Sequence, residues 1–142
     1  MFKRLEQEGK IEKFRVDSKV VQEAMRIAER DLEVAEKNLE INDEWAWNIA
    51  YNAILSAGRA LMFSKGYRPK GDERHVAVRE FLEYFLKPDE IAVFERMRRK
   101  RHTATYDLSS VVTHTDAENA TQRAKEIVGT IKTIIEKEGF FA

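Results

Sequence analysis

Between residues 18 and 41 the apolar side chains Val21, Ala24, Ala28, Leu32, Ala35 and Leu39 recur at steps of three and four. That spacing matches a period of 3.6 residues, so all six fall on one stripe of a helix. A stripe of this kind must be buried against a partner, and the rest of the chain offers further helices as partners. Only two prolines (Pro69 and Pro88) and six glycines interrupt 142 residues. Long stretches are built from Ala, Glu, Lys, Arg and Leu, the strong helix formers.

The boundaries follow from local signals. Asp17 and Ser18 offer caps to the helix at 18–41. Asn42 and Asp43 cap a second helix at 43–65, with Gly66 as its stop. This helix is apolar on more than one face, with Trp45, Trp47, Tyr51, Ile54, Leu61 and Phe63, which makes it the central one. Its small residues Ser56, Ala57, Gly58 and Ala60 permit close approach of a neighbour, whereas Arg59 among them needs a partner if it is buried. Trp45, Trp47 and Tyr51 read as core, with one tryptophan at the helix start also suited to a partner surface. A third helix is expected at 73–86 and a fourth at 88–106, opened by Pro88, whose missing N–H costs nothing in a first turn. A last helix is expected at 115–138, capped by Thr115 or Asp116 and ended by Gly139.

The opening "MFKRLEQEGKIEKF" reads as a short amphipathic turn or helix broken at Gly9, so residues 1–16 form an N-terminal segment ahead of a bundle at 17–139. No segment reads as a strand. The fold class is all-α: an antiparallel up-and-down bundle of four to five helices.

Composition then limits function. With 25 basic and 25 acidic residues the chain carries no net charge, which argues against a general nucleic-acid coat but leaves room for a local basic patch. Having no cysteine excludes disulfides, thiol catalysis and zinc ribbons. No apolar run approaches the ~18 residues of a membrane helix, and the N-terminus lacks a signal-peptide core. A cytoplasmic protein without membrane contact is expected.

The local patch is "FERMRRKRHTATYD", residues 94–107. At ~100° per residue, Phe94, Met97, Arg101 and Ala104 fall near one line, so Arg101 lies along the apolar side, unlike Arg99 and Lys100. Arg98, His102 and Tyr106 form a separate stripe at steps of four. An arginine directed toward a core or cleft requires a carboxylate, carbonyl or phosphate. A histidine with a pKa near ~6.5 is suited to proton transfer. Together they fit metal-free RNA cleavage, in which the histidine moves a proton and the arginine stabilises the phosphorane. The same residues on a surface helix also make an ordinary solvated face.

Elsewhere the chemistry is sparse. His75 opens the third helix, where it reads as a capping or packing residue, and His114 sits in a loop as an incidental residue. Asp31, Glu36 and Glu40 belong to a charged helix face, and no set of residues has metal-ligand spacing. "GYRPKGDER" lacks the strand–loop–helix setting of a phosphate loop. Neither cofactor nor metal is expected.

Four blocks in order, "AWNIAYNAILSAGRALMFSKGYRPKG", "RHVAVREFLEYF", "RMRRKRHTATYD" and "DAENATQRAKEIVGTIK", resemble the HEPN superfamily of helical domains over about Asp17 to Lys137. The chain is similar to small stand-alone HEPN proteins of archaea and bacteria, often encoded beside a minimal nucleotidyltransferase. The resemblance implies a homodimeric bundle. In the active ribonucleases an arginine precedes a histidine by four to six residues near the dimer axis, with a polar residue directly after the arginine. By position, Arg101 matches that arginine, His102 the polar residue and Tyr106 the catalytic histidine. The last is a departure, because a phenol with a pKa near ~10 is a poor base at neutral pH. Arg96 and His102 satisfy the looser spacing. The resemblance also places a histidine at the position of His75, near a ligand cleft. In some such pairs the partner adenylylates a tyrosine near the motif, and Tyr106 is the nearest.

The leading expectation is therefore a HEPN-type protein of a toxin–antitoxin or defence pair, a metal-independent endoribonuclease with an altered motif. Arg101, His102 and Tyr106 would be catalytic, and Arg96, Arg98, Arg99 and Lys100 would bind RNA or a nucleotide. The alternative is a non-catalytic bundle that binds a nucleotide or a nucleotidyltransferase partner. Sequence-specific DNA binding fits neither the charge nor the helix organisation.

Overall fold

The computed structural model describes residues 1–106 and 112–141, with side chains over residues 1–100 and 112–141. In chain order it contains α1 (Lys3–Gln7), β1 (Ile11–Lys13), α2 (Ser18–Asn38), α3 (Asp43–Ser64), β2 (Tyr67–Pro69), α4 (Arg74–Leu82), α5 (Pro88–Tyr106) and α6 (His114–Glu136). The chain is an all-α bundle in which α3 is central, packed by α2, α4, α5, α6 and β2.

Short polar side chains start α2, α3 and α6. Asp17 accepts the N–H of Lys19 at 2.9 Å, and Asn42 accepts that of Trp45 at 2.9 Å. Helix α6 begins slightly earlier than the sequence suggests, because Thr113 rather than Thr115 or Asp116 is its cap. The Thr113 hydroxyl accepts the N–H of Asp116 at 3.0 Å, and the Asp116 carboxylate accepts the N–H of Thr113 at 3.1 Å. This reciprocal pair satisfies two donors that the first turn leaves open. Helix α4 stops at Leu82 rather than 86. There the Tyr84 and Phe85 N–H groups turn to the carbonyls three residues back, the tighter closure common at helix ends.

Pairings across the bundle give its topology. Late α5 meets early α6 through Lys100 and Asp116, and early α5 meets Arg123 of α6 through Asp89, so these helices are antiparallel. Lys125 and Lys132 of α6 reach Glu36 and Glu29 of α2 in the same reversed order. His114 and Asp43 join the starts of α6 and α3, which therefore run parallel. The four long helices alternate in direction along the chain, the up-and-down order of a helical bundle.

The interior is filled by α3 and the faces turned toward it. Tyr51, Ile54, Leu61 and Met62 of α3 are buried with Phe81 and Leu82 of α4, Phe94 and Met97 of α5, and Ile127 and Ile131 of α6. Each large apolar side chain so buried contributes about 1.5–3 kcal/mol. Gly58 marks a close approach of α3 to α4, for a Cβ there would stand 2.5 Å from Val78 Cγ1.

A two-stranded ribbon departs from the expectation of no strand. Strands β1 and β2 pair antiparallel with Glu12 opposite Arg68. Each is three residues long, too short for its alternation to register, and the pairing joins segments far apart in sequence. The N-terminal segment docks with it: Leu5 is fully buried, the Phe2 ring stacks on Phe81 at 4.4 Å, and Lys10 donates to Glu80 at 2.7 Å.

Candidate nucleic-acid interface

The basic stretch forms the second half of α5. Pro88 opens the helix, and Glu90 accepts the N–H of Lys87 at 2.9 Å. The apolar line then seats the helix, with Phe94 and Met97 buried and the Phe94 ring stacked on Tyr51 at 5.2 Å. One further bond holds it. The indole N–H of Trp47 donates to the Met97 carbonyl at 3.0 Å inside the core. In an α-helix that carbonyl also receives the N–H of residue 101, so α3 grips α5 at the turn that carries Arg101.

The cations that precede this turn are unequally available. Arg98 donates to Glu95 at 2.6 Å, and this hydrogen bond, despite partial burial, holds the Glu95 carboxyl below the usual carboxylate range. Arg79 of α4 adds a contact to Glu95 at 3.6 Å. Lys100 donates to Asp116 at 2.9 Å and lies 5.7 Å from the Trp47 ring. Its hydrogen bond, followed by the Thr113 N–H, lowers the Asp116 pKa. Two of the four cations expected to meet RNA are thus largely neutralised within the fold. Arg96 is exposed and makes no ion pair among the described residues, and Arg99 is exposed. Arg96 instead lines a cavity of about 350 Å³ with Trp47, Lys100, Asp116 and Asn119.

Arg101, His102 and Tyr106 belong to the last turns of α5, but their side chains lie outside the described residues, as does Asp107. His75 is half-buried in the first turn of α4. His114, read from the sequence as an incidental loop residue, is the first residue of α6, 2.7 Å from Asp43. This hydrogen bond raises the imidazole's pKa above its ordinary value. Trp45 and Trp47 part company: the former is 60% exposed and the latter is core. Among the described residues no three His, Asp or Glu side chains converge as metal ligands, and no helix is long and apolar enough to cross a membrane.

Two features escaped the sequence reading. Asp116 both closes the capping box with Thr113 and serves as the counter-ion of Lys100, and only the second role depends on how the helices pack. Glu95, by contrast, stands three residues before Arg98, a spacing that pairs charges on any helix.

The family model for the HEPN domain matches residues 21–134. Among solved structures, the chain is similar to the crystal structure of TT1696 from Thermus thermophilus. The TM-score is 0.65 at 17% identity, over 80% of this chain and 96% of that one. At that identity the likeness speaks for the fold alone. No curated protein sequence matches the chain.

Proposed function

The chain belongs to the HEPN domain family, and from that premise we propose that it binds single-stranded RNA along the end of α5 and cleaves it without a metal. The observation that supports this reading most is the Trp47–Met97 bond, which ties the backbone to the core at the turn carrying Arg101. Positioning of this kind is what an electrostatic catalyst needs, because the donor should not reorganise as charge develops. In the proposed reaction the ribose 2′-oxygen attacks the adjacent phosphorus. His102 takes the 2′-proton, Arg101 stabilises the phosphorane, and Tyr106 donates a hydrogen bond to it. The 5′-oxygen leaves with a proton taken from water while His102 returns its proton to solvent, giving a 2′,3′-cyclic phosphate and a 5′-hydroxyl. Arg96 and Arg99, which keep an exposed position, contact the flanking phosphates, while Arg98 and Lys100 shape the helix.

The same proposal places the protein in a toxin–antitoxin or defence pair, as a homodimer working with a minimal nucleotidyltransferase that acts on Tyr106. A second reading, a non-catalytic docking face for a nucleotide or that partner, is favoured by the internal neutralisation of Arg98 and Lys100. One experiment separates the two: incubation with a mixed-sequence single-stranded RNA in the presence of a chelator, beside Arg101→Ala and His102→Ala. Cyclic-phosphate ends in the wild type that vanish in both variants support cleavage. An intact RNA with the wild type refutes it and leaves the docking reading.

A further inference from the structure

At the other end of α3, roughly 24 Å from Trp47 at 1.5 Å per residue, a second basic surface stands apart from α5. The ribbon strands and their flanks, residues 10–15 and 65–70, hold six Lys and Arg against a single acid, Glu12. Glu12 is occupied by Arg68 at 2.6 Å, and Lys65 and Lys10 are drawn to Glu138 and Glu80 outside the ribbon. Lys13 and Arg15 are exposed and have no ion-pair partner among the described residues. Lys13, Phe14, Arg15 and Lys65 line one open hollow of about 420 Å³.

A groove of about 370 Å³ between α2 and α3 lies next to it, lined by Lys19, Ala24, Arg59 and Phe63 among others. The two are joined by the contact of Phe14 with Phe63, ring centroids 5.6 Å apart. Arg59 is half-buried, and no described carboxylate or carbonyl receives its guanidinium. Burial lowers its pKa, opposed by the nearby Tyr51 phenol and aided by the like charge of Arg74. The acid of this groove, Glu23, is engaged by Arg26 at 2.5 Å. A guanidinium drawn partly out of water favours an anion, and here it lies near two half-buried aromatic rings and the exposed Lys13, Arg15 and Lys19, which make no ion pair among the described residues.

We propose that Lys13, Arg15, Lys19 and Arg59, set around the rings of Phe14 and Phe63, form a second contact surface for single-stranded RNA, remote from α5. Phosphates lie on the cations, and bases stack on the two phenylalanines, a combination that holds single strands with little sequence preference. Its geometry is independent of the α5 reading: it stands whether or not the protein cleaves what it holds.

The test is binding of a fluorescent single-stranded RNA to the full chain over a range of salt concentrations. The wild type is compared with Lys13→Gln/Arg15→Gln/Lys19→Gln, with Arg59→Gln, and with Arg96→Gln/Arg99→Gln on α5. Since each phosphate contact on a single strand adds ~0.7 to the salt slope, the triple variant should lower that slope by about 2 and weaken binding roughly tenfold or more. Arg59→Gln should weaken binding without lowering the melting temperature, since it breaks no ion pair among the described residues. An unchanged slope and affinity in the triple variant overturn the proposal, as does failure of the wild type to bind RNA. So does a lowered melting temperature in Arg59→Gln with RNA affinity retained. If the triple variant loses RNA while the wild type leaves RNA uncut, this surface stands and the cleavage reading falls.

Discussion

Replacing Trp47 with phenylalanine tests whether the core holds α5 at the turn of Arg101. The change keeps an aromatic ring in a site only 4% exposed, and removes the indole N–H that donates to the Met97 carbonyl at 3.0 Å. A hydrogen bond of this type contributes about 0.5–1.5 kcal/mol. The Met97 carbonyl is not orphaned, because the helix continues through Tyr106 and the N–H four residues on still reaches it. The full penalty of a buried unpaired acceptor is therefore not incurred. Weaker attraction between Lys100 and the smaller ring, 5.7 Å from it in the native chain, removes a further ~0.5 kcal/mol. The lost ring volume costs about 0.5–1 kcal/mol more. The expected loss is about 2 kcal/mol, or a fall of roughly 6 °C in melting temperature for a domain of this size. Urea unfolding followed by circular dichroism measures it, with Trp45→Phe as the control. Trp45 is 60% exposed, and its replacement should stay within about 0.5 kcal/mol. Amide hydrogen exchange should also quicken at residues 98–101 in the Trp47 variant. If Trp47→Phe is as harmless as Trp45→Phe and exchange there is unchanged, the anchoring of the proposed catalytic turn is refuted.

Gly58→Ala should gain about 1 kcal/mol of helix propensity and lose about 1–3 kcal/mol to crowding, since its Cβ would meet Val78 Cγ1 at 2.5 Å. A net destabilisation near 1 kcal/mol is expected, reversing to a gain in a Val78→Ala background; a double-mutant cycle without coupling would contradict the close approach. Asp43 and, more weakly, Glu118 and Glu40 raise the His114 pKa, so this contact stabilises the folded chain below the ordinary imidazole pKa of ~6.5. That contribution is lost as pH rises through the raised value. An NMR titration of His114 should have its midpoint above ~6.5 and move down in Asp43→Asn; a midpoint indifferent to Asp43 would count against the pairing. The loss of cyclic-phosphate product in Arg101→Ala and His102→Ala, and the reduced salt slope of the ribbon variant, complete the set.

Much of the fold was legible because helices are local. The stripe from Val21 to Ala35, the caps at Asp17 and Asn42, and the start at Pro88 depend on residues within a turn or two of one another. The structure places them with ends shifted by only a few residues. The motif blocks, too, are contiguous in sequence, which is why the family could be identified from them and then matched over residues 21–134. The small-residue run around Gly58 announced a close neighbour but could not say that it was Val78.

Pairs distant in the chain were set by packing. The β-ribbon joins residues 56 positions apart, and two three-residue strands carry no periodicity to announce them. Lys100 and Asp116 are helix surface residues by any local rule until α5 and α6 meet antiparallel. That contact ties down Lys100, beside Arg98, which Glu95 already holds within α5. Trp45 and Trp47 are equivalent by composition, yet the helix directs one to solvent and the other onto the Met97 carbonyl. Arg59, flagged in the sequence as needing a partner if buried, is half-buried and has no ion-pair partner among the described residues. Local spacing and capping residues were enough to identify the long helices and the family they build. Which charges remain free to meet a phosphate was decided by packing, because an ion pair between helices depends on their relative position in space and not on spacing along either one.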